Sequence, residues 1–229
     1  MKKIILLFTA ALFTLSCSDD DKGQDAPKAL PVASKISLTS GSSTMVYNFS
    51  YDSNRRIQSI QTTGSSTRTV SLTYNQKELM STMTVATTGT PIVYALAYND
   101  QNRLVSVSAG DDTLPVSYNE ATRTYTFNST VFSLDEDGDI VSAPPSDVFY
   151  ETGKFGPMIH ANMSTHLLAA LTGDTYLLYF AGKKPMKEIK NSGTVQLSFE
   201  NTFNESNYLT KSVINSGSLT TIAYEYTSI

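Results

Sequence analysis

The 229-residue chain has one cysteine, two histidines and no tryptophan. A single thiol excludes an internal disulfide, and a free exposed thiol outside the cytoplasm would be a reactive liability. The histidines are too few for a metal centre. His160 and His166 stand six residues apart, which on a helix turns them about 120° away from overlap, and neither has a neighbouring His or Cys to complete a ligand set. No metal and no cofactor is expected, and both histidines read as polar residues beside an apolar stripe. Long apolar runs are scarce too. The one from Ile4 to Phe13 is too short to cross a hydrocarbon layer of about 30 Å as a helix, and none follows it. The strand-to-helix serine elbow of the α/β-hydrolases is also missing.

What is present begins with Lys2 and Lys3, the apolar run, and Leu15-Ser16-Cys17. Charge, apolar core, small residue and Cys in that order resemble the bacterial lipobox, which implies cleavage before Cys17 and diacylation of its sulfur. Residues 1–16 are then a lipoprotein signal peptide. At about 0.8 kcal/mol per buried methylene, two or three acyl chains hold a protein on a membrane for practical purposes permanently. Ser18, Asp19, Asp20 and Asp21 follow directly and resemble the acidic signal that sends Bacteroidota lipoproteins to the outer face of the outer membrane. Residues 17–34, with Gly23, Pro27 and Pro31, read as a lipidated, flexible stalk. Loss of two lysines with the signal leaves 15 basic against 21 acidic residues, a formal charge of −6. That balance argues against nucleic acid as the partner. The expected contacts are the membrane, through the lipid on Cys17, and a glycan or protein ligand.

Residues 35–229 form the expected single domain, dominated by a repeated hairpin unit. It is clearest at Phe49, Tyr51-Asp52-Ser53-Asn54-Arg55-Arg56-Ile57 and Ile60. It returns at Leu72, Tyr74-Asn75, Leu79 and Met83, and at Leu96, Tyr98-Asn99-Asp100-Gln101-Asn102-Arg103-Leu104 and Val107. Degenerate copies follow at Tyr118-Asn119 and at Leu134-Asp135 through Ile140. Each unit ends a strand on an aromatic residue and an Asp or Asn, turns on residues that tolerate left-handed backbone, and restarts on an aliphatic residue. Alternation such as Met45, Tyr47, Phe49 and Tyr51 against Val46, Asn48 and Ser50 gives each strand one apolar face. The expected fold is all-β: an antiparallel meander forming a strongly curved sheet or open barrel.

These units resemble the YD-repeat proteins, in which an aromatic-Asp pair, a turn and Arg-Leu or Arg-Ile recur. The whole is similar to a lipoprotein family of Bacteroidota that carries a few such units. That resemblance covers most of residues 35–229, including a Lys154-Phe155-Gly156-Pro157 loop and a Lys184-Pro185 turn, and implies an all-β fold without a particular activity. The second unit departs from the pattern, since Glu78 stands before Leu79 where Arg is usual.

One helix is expected near 158–171, where Ile159, Met163, Leu167 and Leu171 recur every four residues, with Pro157 at its start and Gly173 at its stop. Tyr176 to Phe180 reads as strand again. Asp135 to Asp139 is carboxylate-rich, but an EF-hand register puts Ser133 first and Pro144 twelfth, so Asp137-Gly138 reads as a hairpin turn. Asp112-Thr113-Leu114 resembles the short O-glycosylation acceptor of Bacteroidota, with Thr113 the candidate acceptor in a loop. The thirteen tyrosines lie mostly at the strand-end place and read as half-buried staples more than as a glycan platform. The expectation is a lipid-anchored outer-membrane protein, displayed at the cell surface, whose domain binds a ligand or serves as an accessory without catalysis. The alternatives are a glycan- or peptide-acting hydrolase, which needs two carboxyl groups about 5–9 Å apart in a cleft, and a periplasmic lipid carrier, which needs an enclosed apolar cavity of several hundred Å³.

Overall fold

The computed structural model describes residues 29–128, 130–215 and 219–229. They form sixteen strands and two helices. The first strands are β1 (Pro31–Ser40), β2 (Ser43–Tyr51), β3 (Ile57–Thr63), β4 (Arg68–Tyr74), β5 (Met80–Ala86) and β6 (Ile92–Tyr98). Next come β7 (Leu104–Ala109), β8 (Asp112–Asn119), β9 (Thr124–Phe127), β10 (Thr130–Leu134), β11 (Ile140–Ala143) and β12 (Ser146–Tyr150). Helices α1 (Thr165–Thr172) and α2 (Thr175–Phe180) precede β13 (Met186–Asn191), β14 (Thr194–Phe203), β15 (Leu209–Asn215) and β16 (Leu219–Ser228). Each strand pairs antiparallel with its neighbours in the chain, and β1 pairs with β16 from Pro31↔Ser228 to Ser40↔Thr220. The meander therefore closes into a barrel, and the described strands leave no edge for a partner strand to extend.

Alternation sets the wall. Paired inward residues such as Ile36↔Tyr47, Phe49↔Ile60, Ile60↔Val70 and Leu72↔Met83 are buried. The outward rows carry many Ser and Thr, whose hydroxyls pair across strands, as in Ser50 to Ser59 at 2.7 Å and Thr73 to Thr82 at 2.6 Å, with single exposed apolar residues such as Val93, Val131 and Phe149 between them. β-branched Thr suits a pleated surface, and its hydroxyl keeps the outer wall wetted. A lipid-spanning barrel reverses this pattern, with an apolar outer band. No helix among the described residues is long and apolar enough to cross a membrane.

Sixteen strands ordinarily enclose more space than their own side chains fill. Here residues 151–185, between β12 and β13, supply α1 and α2 as the filling. Leu168, Ala169, Leu177 and Phe180 are buried in the same core as the wall residues, and the Phe180 ring meets Tyr47 edge-on at 4.9 Å. The space between Leu104, Val116, Phe132 and Leu171 has no room for a water molecule.

The interior differs from the sequence expectation in three places. The helix begins at Thr165 instead of near 158, because residues 157–160 form a turn and Ser164 caps α1 by accepting from Leu167 N–H. Gly173 ends it with φ 64°. Tyr176 to Phe180 is helix, not strand: Asp174 accepts from the Tyr176 and Leu177 N–H groups and starts α2. That stretch is apolar throughout, so its period carries no information. His166 does not flank the apolar stripe but is buried within it, on the core side of α1.

The repeat has one local geometry at five sites, starting at Asp52, Asn75, Asn99, Asp135 and Asn204. In each, the first residue's side-chain oxygen accepts from the third and fifth N–H groups. The backbone closes from first to fifth residue. The fourth residue, Arg55, Glu78, Asn102, Gly138 or Asn207, has positive φ. A register shift follows each turn, placing Tyr51 opposite Ile57, Tyr74 opposite Met80 and Tyr98 opposite Leu104. The second unit is thus one residue off the alignment read from sequence. Met80, not Leu79, is the counterpart of Ile57, Glu78 takes the left-handed place, and Leu79 stands where Arg56 and Arg103 stand. Asp137-Gly138 lies in such a turn, as expected. Phe203-Asn204 to Leu209 is a further copy of the same pattern.

At four of the five bulges, all but the one at Leu104, the next tyrosine takes the carbonyl of the sixth residue. The hydroxyl of Tyr74 donates to Ile57 O at 2.6 Å, Tyr98 to Met80 O at 2.8 Å, Tyr150 to Ile140 O at 2.7 Å and Tyr226 to Leu209 O at 2.7 Å. Arg56 and Arg103, each at the fifth place, lie 4.5 Å over the rings of Tyr74 and Tyr118. Sequence spacing, turn chemistry and side-chain stacking therefore lock each unit to the next around the barrel.

Candidate functional site

Cys17, Ser18, Asp19, Asp20 and Asp21 lie outside the described residues. The described chain starts at one rim, where Leu30 and Ile229 exchange backbone hydrogen bonds of 3.0 and 3.2 Å. This rim carries all the repeat turns, and Ala29 and Ile229 line a cleft with Ser53, Asn54 and Arg55. The opposite rim carries the simple hairpin turns. Thr113 is exposed near that opposite rim, but on β8 and paired with Ser108, not in a loop.

Among the described residues Asp139 is buried and Asp174 half-buried, and both carboxylates are occupied. Asp139 accepts from the backbone N–H groups of Lys183 and Lys184 at 2.8 and 3.0 Å, and His166 Nδ1 stands 3.4 Å from its Oδ1. This fastens α1 and the loop before β13 to a repeat turn. Above it, Lys184 bridges Asp135 at 2.6 Å and Asp137 at 2.9 Å. Burial works against the ammonium, but the two carboxylates outweigh it and hold the Lys184 pKa above its ordinary value. Asp174 is the second, described below. Among the described residues no group of three or more His, Cys, Asp or Glu side chains is arranged to hold a metal.

At the repeat rim a groove of about 350 Å³ runs between the second and third units and the segment before α1, lined by Tyr74, Glu78, Tyr98, Asn102, Asn162 and Met163. Its tyrosines are the staples described above, so their hydroxyls are spent on the barrel. Burial pushes the Tyr98 phenol up to about 12, with a smaller contribution from Tyr125, so the phenol keeps its proton at neutral pH. His160, held by Tyr208 at 2.9 Å, has its pKa lowered by burial and by Arg55.

At the hairpin rim a cavity of about 360 Å³ opens over the junction of α1 and α2. Arg68, from the start of β4, pairs with Asp174, and the Tyr47 hydroxyl reaches the same carboxylate at 3.2 Å. Burial first, and then Asp174, raise the Tyr47 pKa. Thr62 and Thr67 add hydroxyls, and Tyr176 projects into solvent at 43% exposure. Gly64 lets the β3–β4 hairpin lie against β2: its φ is +119°, and a Cβ there would stand 2.2 Å from Thr44 O. Sequence spacing carried no signal for this cavity, since residues 47, 62, 68 and 174 meet only once the barrel closes around α2.

Residues 33–171 match the profile of the Teneurin YD-shell family. No curated protein matches the sequence. Among solved structures the chain is similar to a porin-like protein from Bacteroides uniformis ATCC 8492, with 11% identity, a TM-score of 0.39, and coverage of 85% of this chain and 98% of that one.

Proposed function

The chain belongs to the Teneurin YD-shell family, and from that premise we propose that it is a lipid-tethered, non-catalytic binding domain of the cell envelope, displayed on the outer membrane of a Bacteroidota-type cell. The observation that carries the reading is the pairing of a filled interior with a polar outer wall. A barrel whose bore is occupied by α1 and α2 conducts nothing and encloses no lipid. A wall of Ser and Thr rests in water, and the rims are left to meet a partner. The membrane attachment then falls to Cys17, with Ser18, Asp19, Asp20 and Asp21 as the export signal. Residues 31–34, read from sequence as the end of the stalk, belong to β1, so the tether runs from Cys17 to Ala29 and reaches at most roughly 40 Å. It joins the repeat rim and leaves the hairpin rim distal. Asp139 and Asp174 are taken up in holding the inner helices and loops to the wall, which favours binding over hydrolysis.

Protease shaving of intact cells tests the display. The wild-type domain is cleaved, and a variant with Asp19, Asp20 and Asp21 changed to Ala is protected. Protection of both overturns surface display.

A further inference from the structure

The two rims of the barrel differ in chemistry. At the repeat rim each of the turns 52–56, 75–79, 99–103, 120–123, 135–139 and 204–208 carries a charged residue, and 135–139 carries four. At the hairpin rim the described turns 41–42, 64–67, 87–91, 110–111, 144–145 and 192–193 are built from Gly, Ser, Thr and Pro, with Asp111 the one charged residue among them. Arg68 and Asp112 begin the strands that follow two of these turns, and Arg68 is spent on Asp174. Aliphatic side chains stand exposed at the same rim. Ile92, Val131, Val195 and Leu219 are each the first or second residue of their strand, at its hairpin-rim end, and Leu219 is 67% exposed. A solvated turn has no structural need to avoid charge, whereas the centre of a protein interface is depleted of it.

We infer that the hairpin rim is the contact face of an end-to-end dimer, and that its occupant is a second copy of this chain. The inference deepens the reading of the chain as a binding domain by naming its partner. Charge favours a second copy. The chain has 21 acidic against 17 basic residues, so two copies repel on most approaches, and at this rim they meet with the fewest charges to desolvate. Asp111 and Asp112 stand on the circumference, where salt screens them. Size agrees. A closed barrel of sixteen strands, spaced about 4.8 Å apart, is roughly 30 Å across. The junction of α1 and α2 stands in this mouth, so the end face is a filled disc of roughly 700 Å², close to the roughly 800 Å² per partner of a stable interface. Shape agrees as well. Tyr176 projects from the disc beside the cavity of about 360 Å³, so each copy offers a knob and a hole, which a two-fold axis brings onto those of the other. The ring enters by shape and apolar contact, and the pair of Arg68 and Asp174 stays as it is. With the tether at the repeat rim, copies joined this way stand on facing membranes.

The test is sedimentation equilibrium of the full-length protein in a density-matched detergent, at loading concentrations of about 1–100 µM. A reversible equilibrium of monomer and dimer is expected in that range, and about 0.5 M salt does not weaken it. Leu219→Lys and Ile92→Lys place like charges on the disc and Tyr176→Ala removes the knob. Each weakens the dimer at least tenfold, and circular dichroism shows all three folded because these side chains are exposed. Lys77→Glu, at the repeat rim, leaves the dimer unchanged. Monomer throughout the range overturns the inference. So does a dimer that the three hairpin-rim variants leave intact, or one that Lys77→Glu weakens as much. Phosphatidylcholine vesicles carrying the wild-type protein cluster with one another, and those carrying Leu219→Lys stay apart. A dimer in detergent without clustering overturns the facing-membrane arrangement and upholds the pairing. The shaving experiment is independent of both, since protection there removes surface display without touching the dimer, and a monomer here leaves surface display standing.

Discussion

Tyr98→Phe removes one oxygen from the barrel and should cost more than its size suggests. The hydroxyl donates to Met80 O at 2.8 Å, across the bulge where Tyr98 stands opposite Leu104. Phe keeps the ring's packing but leaves a part-buried carbonyl without a donor, a loss of about 1–3 kcal/mol. For a domain of this size each kcal/mol shifts Tm by roughly 2–4 °C, so Tm should fall by about 2–12 °C. Tyr176→Phe is the control, since its ring is exposed and stands outside the staple series. Urea unfolding followed by near-UV circular dichroism, with calorimetry alongside, gives both values. A Tyr98→Phe variant within about 0.5 kcal/mol of wild type would refute the idea that the repeat tyrosines hold the bulges closed.

Three further outcomes follow from the same geometry. Met80→Ala should cost about 2–5 kcal/mol and Leu79→Ala well under half of that, because Met80 is buried and Leu79 stands at the half-exposed fifth place; equal costs in urea would restore the register read from sequence. Gly64→Ala should destabilise more than Gly110→Ala. The latter, with open space around its Cβ and φ +59°, costs only the roughly 1–2 kcal/mol of a left-handed residue, and similar Tm values for the two would contradict the close approach at Thr44. Acid should loosen the repeat turns. Burial alone would raise the Asp52 pKa, but Arg56 and the turn N–H groups hold it below its ordinary value, and Lys184 does the same for Asp137. A depressed folded pKa contributes stability above the unfolded value near 4 and loses it as pH falls through the folded pKa. Stability should therefore drop below about pH 4, and Asp52→Asn should flatten that drop.

Much of the barrel was legible because the repeat writes its geometry locally. Asp or Asn at the first place, a left-handed residue at the fourth and an aliphatic at the sixth are turn chemistry within a few residues, and alternation gives the inward face. The second unit misled because Leu79 and Met80 are both aliphatic, and only the bulge decides which turns inward. The helices were harder to read. Residues 158–164 share the apolar spacing of α1 without its backbone, and Tyr176 to Phe180 has no polar residue to mark a period. Closure depends on β1 meeting β16, which leaves no local trace. The hairpin-rim cavity is less legible still, since Tyr47, Thr62, Arg68 and Asp174 come from distant segments and each alone reads as an ordinary strand or loop residue.

The most direct test of a water-facing, lipid-tethered barrel is to replace residues 1–17 with an export signal cut by signal peptidase I and to fractionate the cells. The account predicts a folded protein released with the soluble envelope fraction, while the unaltered chain stays with the membrane until detergent is added. If the altered chain also stays in the membrane, the wall itself is in contact with lipid, and the reading of the Ser and Thr rows as a solvent face is wrong.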